Sequence, residues 1–102
     1  MPEVRLTTGA DAPKSFDIYD EKGKQGEMIF DIAGNDMTIY HTEVEPESEG
    51  KGYAKQLLNS MVDYAREHQL KVIPMCAAYV HAQFKRHEEE YNDVWNRRND
   101  NI

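Results

Sequence analysis

The segment EGKGYA, residues 49–54, places two glycines one residue apart between a strand-like run and a helix-like run. We call this segment the glycine loop. Gly50 and Gly52 carry no β-carbon, so the backbone N–H groups around them can approach an anion closely. The first amides of a helix and the positive end of its dipole attract the same anion, and Lys51 adds a positive charge from the side. The pattern favours a phosphate-binding site; the alternative is an ordinary tight connection.

Two common phosphate-binding motifs are excluded. No Gly-Lys-Ser or Gly-Lys-Thr follows at the spacing of a Walker A motif. The Rossmann fingerprint needs a further G-x-x-G after a parallel strand, and it is absent.

Three side chains near the glycine loop have reactive chemistry. His41 and Glu43 share one face of their strand because strand side chains alternate, and either is a candidate base, directly or through water. A histidine side chain gains and loses a proton near neutral pH, which suits a base. Cys76 falls just before a predicted helix, whose dipole stabilises a thiolate that can accept an acyl group. The alternatives are a hydrogen-bonded, half-buried histidine and a small buried cysteine.

Metal binding is not predicted. His81 and His87 are six residues apart and therefore lie on different helix faces. Neither H-x-x-x-H nor C-x-x-C occurs in the sequence.

The elements that must position these residues follow the apolar periodicity. Alternation predicts four strands, at residues 3–8, 14–20, 26–33 and 37–44. A loop at 9–13 and turns at 22–26 and 34–35 connect them. The first half is therefore predicted to be an antiparallel meander.

The period changes after the glycine loop. A helix ending at His68-Gln69 is predicted from one apolar stripe, formed by Leu57, Leu58, Met61, Val62 and Ala65. LKVIPM, residues 70–75, is a short strand in the interior of the sheet or against the helix. A second helix is expected from about Ala77 to His87, followed by an exposed charge run at 88–90. Tyr91, Val94 and Trp95 then form a closing apolar group, here called the C-terminal clasp.

The order of four strands, a helix, a strand and a helix predicts an α+β sheet with helices packed on it, in a single domain spanning 1–102. The net charge of −7 disfavours a nucleic-acid partner and favours a cationic one. No apolar run reaches the ~20 residues that cross a bilayer, no secretory signal is present, and one cysteine allows no internal disulfide. We therefore expect a cytoplasmic protein without a membrane partner. The sequence does not indicate an oligomeric state.

Residues 25–95 resemble the GNAT superfamily of acetyl-CoA-dependent N-acetyltransferases, in particular its small stand-alone members. The superfamily binds the pyrophosphate of coenzyme A through a loop of the form Gln/Arg-x-x-Gly-x-Gly/Ala, which the glycine loop matches except at Glu49. We expect the Glu49 side chain to face solvent. His41-Thr42, Cys76 and the aromatic-rich segment 91–95 match further features of the small members.

The resemblance implies a GNAT-like fold with two splayed strands and acetyl-CoA as the cofactor. It assigns cofactor contacts to Thr42, Glu43, Val44, Glu49, Gly50, Lys51, Gly52, Tyr53 and Ala54. It implies that Tyr79 protonates the leaving thiolate and that amides near Val44 bind the oxyanion. Pro74 fits a strand that parts from its neighbour, since it has no N–H for a ladder; an edge or bulge proline is the alternative.

The implied function is acetyl transfer to an unidentified amine, with Cys76, His41 and Tyr79 as catalytic candidates. One alternative is a non-catalytic acyl-CoA-binding or regulatory module. Another is an interaction domain that uses its acidic surface and the EEEY segment to bind a basic partner.

Overall fold

The computed structural model describes residues 2–8, 14–75 and 78–96. Five strands and three α-helices follow one another in these ranges: β1 (Glu3–Thr7), β2 (Lys14–Asp20), β3 (Gly23–Ala33), β4 (Asp36–Val44), α1 (Tyr53–Glu67), β5 (Lys71–Ile73), α2 (Ala78–Arg86) and α3 (Glu88–Tyr91). A short 3-10 turn, Pro46–Ser48, precedes the glycine loop. Cys76, Ala77, the loop at 9–13 and the tail at 97–102 lie outside the described residues.

The strands form one sheet in the order β1-β2-β3-β4-β5. The first four pair antiparallel, and β5 pairs parallel with β4. The prediction of a mostly antiparallel α+β fold that begins with a meander is therefore confirmed. One detail of the prediction is wrong: the segment 22–26 is not a turn, because β3 already begins at Gly23. β5 is the last strand of the order.

β4 contains an extra residue that changes which side chains face the core. Phe30 pairs with Ile39 while Ile29 pairs with His41, so Tyr40 is left between them as a bulge. Before the bulge Met37 and Ile39 are buried. After it, the alternation shifts by one residue, and the even-numbered side chains of β4 take the core side.

The core lies between the sheet and α1. Phe16 of β2 stacks on Phe30 of β3, with ring centroids 5.0 Å apart. The apolar stripe predicted for α1 is fully or almost fully buried, which confirms the helix and its face. Tyr64, on the same helix, meets the Phe16 ring edge-on at 5.7 Å. The helix therefore fixes its position on the sheet through aliphatic and aromatic contacts together.

The C-terminal clasp is a buried apolar group, as predicted, and it lies against β5. Tyr91, Val94 and Trp95 are buried. Phe84 of α2 lies 5.0 Å from the Tyr91 ring and 5.7 Å from the Trp95 ring, centroid to centroid. Backbone bonds from Val72 to Val94 and from Asn96 to Val72 extend the sheet past β5. The segment after α3 thus covers the edge that β5 would otherwise expose.

None of the helices described here is both long enough and apolar enough to span a bilayer.

Candidate functional site

A cavity of about 530 Å³ opens where β4 ends and α1 begins. The residues that line it come from four places: the second half of β4, the glycine loop, the first turn of α1, and helix α2. They are Thr42, Val44, Glu49, Gly50, Gly52, Tyr53, Ala54, Lys55 and Tyr79. A volume of this size is typical of small-molecule sites. The cavity therefore brings together predicted site residues from before, within and after the loop, among them Thr42, Gly52 and Tyr79.

The two glycines of the loop have left-handed backbone conformations. Gly50 has φ +86° and Gly52, the residue that caps α1, has φ +80°. A side chain is strained in this region, and glycine is not. A β-carbon at either position would meet no atom within 4 Å, so the space beside the loop is open. The loop is consequently shaped by backbone conformation and offers room for a ligand.

Two side-chain hydrogen bonds hold the loop from both ends. Before it, the Ser48 hydroxyl donates to the Gln25 side-chain oxygen at 2.7 Å, and both residues are buried. Near its end, the Tyr53 hydroxyl donates to an Asp20 carboxylate oxygen at 2.8 Å. The other oxygen of Asp20 accepts the backbone N–H of Lys22. The loop is therefore anchored to β2 and β3 by residues far away in sequence.

The hydrogen bonds that Asp20 accepts predict a pH dependence of the stability of the protein. The Lys22 N–H first, and the Tyr53 hydroxyl second, lower the pKa of Asp20. A carboxyl group with a lowered pKa stabilises the fold above its unfolded value of about 3.9, and the effect is lost as the pH falls through the folded pKa. We expect Tyr53→Phe to lower the urea midpoint at pH 7 and to differ less from wild type below about pH 4. An equal difference at pH 3 and pH 7 would contradict this coupling.

Thr42 has a buried hydroxyl oxygen with no hydrogen-bond partner in the described residues. Thr42 also lines the cavity, although its hydroxyl oxygen itself is shielded from it. The pairing of β4 with β5 ends at Thr38 and Ile73, and Pro74 follows at once. β5 itself ends there, so the second half of β4 has no strand partner on that side among the described residues.

Most predicted cofactor contacts line the cavity, and a few do not. Glu49 lines it and is also exposed to solvent. Lys51 is exposed, with its ammonium 5.9 Å from the centroid of the Tyr53 ring, and does not line the cavity. Glu43 does not line it either, because the bulge turns Thr42 and Val44 to that side instead. The roles of these residues stay predictions.

His41 and Glu43 lie on the opposite face of β4, where they are exposed. Their side chains are 3.3 Å apart, His41 Nε2 to Glu43 Oε2. Glu27, directly opposite Glu43 in the ladder, brings its carboxylate to the same cluster, in which the three ligand atoms lie within 4.8 Å of one another. Lys24 already bonds one Glu27 oxygen at 2.7 Å. The prediction of no metal stays a prediction.

Tyr79 and Lys55 complete the cavity from the α2 and α1 sides. Burial, more than any other cause, raises the pKa of Tyr79, so its phenol stays protonated at neutral pH. The sequence analysis did not single out Lys55. The only available signal was its place one residue after the glycine loop, in the first turn of α1.

Comparisons with known proteins agree with this geometry. The model of the family described as GCN5-related N-acetyl-transferase matches residues 15–94. A GCN5-like protein from Staphylococcus aureus is 33% identical, with a TM-score of 0.65, over 90% of this chain and 87% of that one. No curated protein matches significantly.

Two more distant structures share the fold. Ribosomal-protein-alanine N-acetyltransferase from Brucella melitensis is 16% identical, with a TM-score of 0.65 and coverage of 83% of this chain and 89% of that one. N-acetylglutamate synthase from Neisseria gonorrhoeae, complexed with coenzyme A and N-acetyl-glutamate, is 14% identical, with a TM-score of 0.56 and coverage of 80% and 23%. At this level of identity the likeness concerns the fold alone.

The sheet, with β5 parallel to the last strand of the meander, shares the fold of the GCN5-like protein. The chain belongs to the GCN5-related N-acetyl-transferase family, as the resemblance predicted, and we assign it as an acetyltransferase.

Proposed function

We propose that this protein binds acetyl-CoA in the cavity beside the glycine loop and transfers the acetyl group to a cationic amine. The observation that carries the proposal is the cavity itself, which joins the end of β4, the glycine loop and the start of α1. The open space beside the glycines fits a bound cofactor. The coenzyme A complex of the Neisseria structure supports the same ligand class.

When bound, acetyl-CoA supplies an activated acetyl thioester. The amides of the glycine loop and the N-terminus of α1 hold phosphate, since both direct N–H groups and positive potential at the anion. Tyr79 lines the cavity as a protonated phenol and is the candidate acid. His41 and Glu43, on the other face of β4, are the candidate bases for an amine that approaches from that face.

The charge on the face of β4 that carries His41 and Glu43 supports a cationic acceptor. A depression of about 310 Å³ is lined by Lys24, Gly26, Glu27, Glu43 and Glu45. Three carboxylates surround it against one ammonium group, so the local potential favours a positively charged ligand. We do not assign the acceptor more narrowly than this class, and the cytoplasmic location stays a prediction.

Cys76 is proposed as the residue through which the acetyl group passes. Mass spectrometry of the intact protein after incubation with acetyl-CoA tests this, beside the same measurement on Cys76→Ala. We expect an acetyl adduct that hydroxylamine removes and that only the protein with Cys76 forms. Acetylation of an amine acceptor by Cys76→Ala at the wild-type rate would show that the transfer is direct.

The alternative, a non-catalytic acyl-CoA-binding module, is favoured by one observation: neither His41 nor Glu43 lines the cavity. The two functions are separated by an acceptor screen with polyamines and lysine-containing peptides, run alongside a thermal-shift titration with acetyl-CoA. Stabilisation with acetyl transfer supports the enzyme, and stabilisation without transfer to any amine supports the module. Absence of stabilisation would contradict both.

A further inference from the structure

Lys55 is the one cation among the described residues that line the cavity. It is the third residue of α1 and therefore lies in the first turn, next to the unpaired helix amides. Glu49 lines the same cavity with a negative charge. Without Lys55, the side chains of the cavity would oppose a phosphate, and only the backbone would attract it.

The ammonium group of Lys55 is held in place by a buried partner. Its Nζ donates to the Tyr91 hydroxyl at 3.2 Å, and it lies 5.8 Å from the centroid of the Tyr91 ring. Tyr91 is 1% exposed and packs against Phe84. A lysine side chain loses much rotamer entropy when it binds a ligand. A partner that orders it beforehand reduces this loss and increases affinity.

The partner is neutral, which leaves the positive charge of Lys55 available. The hydrogen bond to Tyr91 is the main cause that raises the pKa of Lys55, so the ammonium stays charged at neutral pH. Lys14 and Lys24 bond carboxylates, whereas Lys55 takes part in none of the ion pairs between described residues. A charged lysine without a carboxylate in direct contact, beside a cavity at a helix N-terminus, is suited to an anionic ligand.

We infer that Lys55, held by the Tyr91 hydroxyl, binds a phosphate of the ligand and makes this cavity prefer phosphate-bearing thiol carriers over phosphate-free ones. The inference rests on the proposed binding of acetyl-CoA and adds the side-chain cation that selects the ligand. It also gives α3 a role in binding: Tyr91 is a positioning residue that acts through Lys55.

Calorimetric titration of Lys55→Met, Tyr91→Phe and wild type with coenzyme A, dephospho-coenzyme A and pantetheine tests the inference. A hydrogen bond to a charged group contributes about 1.5–3 kcal/mol, so Lys55→Met should weaken coenzyme A binding by roughly 10- to 100-fold. Tyr91→Phe should weaken it by a smaller factor. Pantetheine, which has no phosphate, should bind all three proteins equally. Lys85→Met, which removes an exposed lysine from α2, is the matched control and should bind like wild type.

The three ligands also tell which phosphate is bound. If Lys55→Met weakens the binding of coenzyme A alone, Lys55 contacts the 3′-phosphate. If it weakens the binding of dephospho-coenzyme A equally, Lys55 contacts the pyrophosphate. The inference would be overturned if Lys55→Met bound coenzyme A with wild-type affinity. It would also be overturned if Lys55→Met weakened pantetheine binding equally, or if Lys51→Met weakened coenzyme A binding and Lys55→Met did not. If wild type itself binds no coenzyme A, the proposed function falls and the inference falls with it.

Discussion

Replacement of Gly52 by aspartate is expected to abolish the rise in unfolding temperature that acetyl-CoA gives the wild-type protein. Gly52 caps α1 with φ +80° and lines the cavity. A carboxylate here would place negative charge where the proposed site binds phosphate, and like charges at contact distance repel strongly in a partly desolvated cavity. Because a ligand stabilises only the protein that binds it, the ligand-dependent shift measures this loss directly.

Gly34→Asp is the matched control for this experiment. Gly34 also has a left-handed conformation, φ +62°, and a β-carbon there would likewise meet no atom within 4 Å. It lies in the turn between β3 and β4, outside the cavity. Each variant should lose about 1 kcal/mol of stability from backbone strain, but Gly34→Asp should keep the full acetyl-CoA shift. A full shift in Gly52→Asp would mean that the glycine loop does not bind the phosphates.

Replacement of Phe84 by alanine is expected to cost about 3–5 kcal/mol of unfolding free energy, since it removes a buried aromatic side chain and leaves a cavity. Phe84 is fully buried and contacts both Tyr91 and Trp95 of the C-terminal clasp. Domains of this size are typically stable by about 5–15 kcal/mol, so a large share of the total would be lost. Urea unfolding followed by the fluorescence of Trp95, the single tryptophan, measures it.

Lys85→Met, one residue further along α2, should change the unfolding free energy by no more than about 0.5 kcal/mol because Lys85 is exposed. Phe84→Ala should also weaken coenzyme A binding, since Phe84 supports the Tyr91 ring that positions Lys55. A loss below about 1 kcal/mol for Phe84→Ala would show that the clasp repacks around the missing ring.

The sequence predicted the parts of the fold that depend on local pattern. The apolar stripe of α1 keeps the helical period from Leu57 to Ala65, and the hairpin between β3 and β4 has Gly34 at its turn. The glycine loop was recognisable because only glycine adopts the left-handed conformation there without strain. Each of these signals is contained within a few neighbouring residues.

The parts that were missed depend on contacts between distant residues. The bulge at Tyr40 has no composition of its own, and yet it decides that Thr42 and Val44, rather than His41 and Glu43, face the cavity. Lys55 and Tyr91 are 36 residues apart, so no local pattern marks their bond. The Gln25–Ser48 bond spans 23 residues and arises only once β3 and the turn before the loop are in place. Strand register and packing settle these features, and neither is visible in local periodicity.

The early end of the ladder between β4 and β5 also has a consequence for backbone hydrogen exchange. From Ile39 to Val44, the side of β4 that faces away from β3 has no strand partner among the described residues. Amide hydrogens without a partner exchange with solvent faster than those within a ladder. In the free protein, β4 should therefore show alternating fast and slow amides in its second half. An extended ligand that occupies the gap would protect the fast ones and make β4 behave as an interior strand.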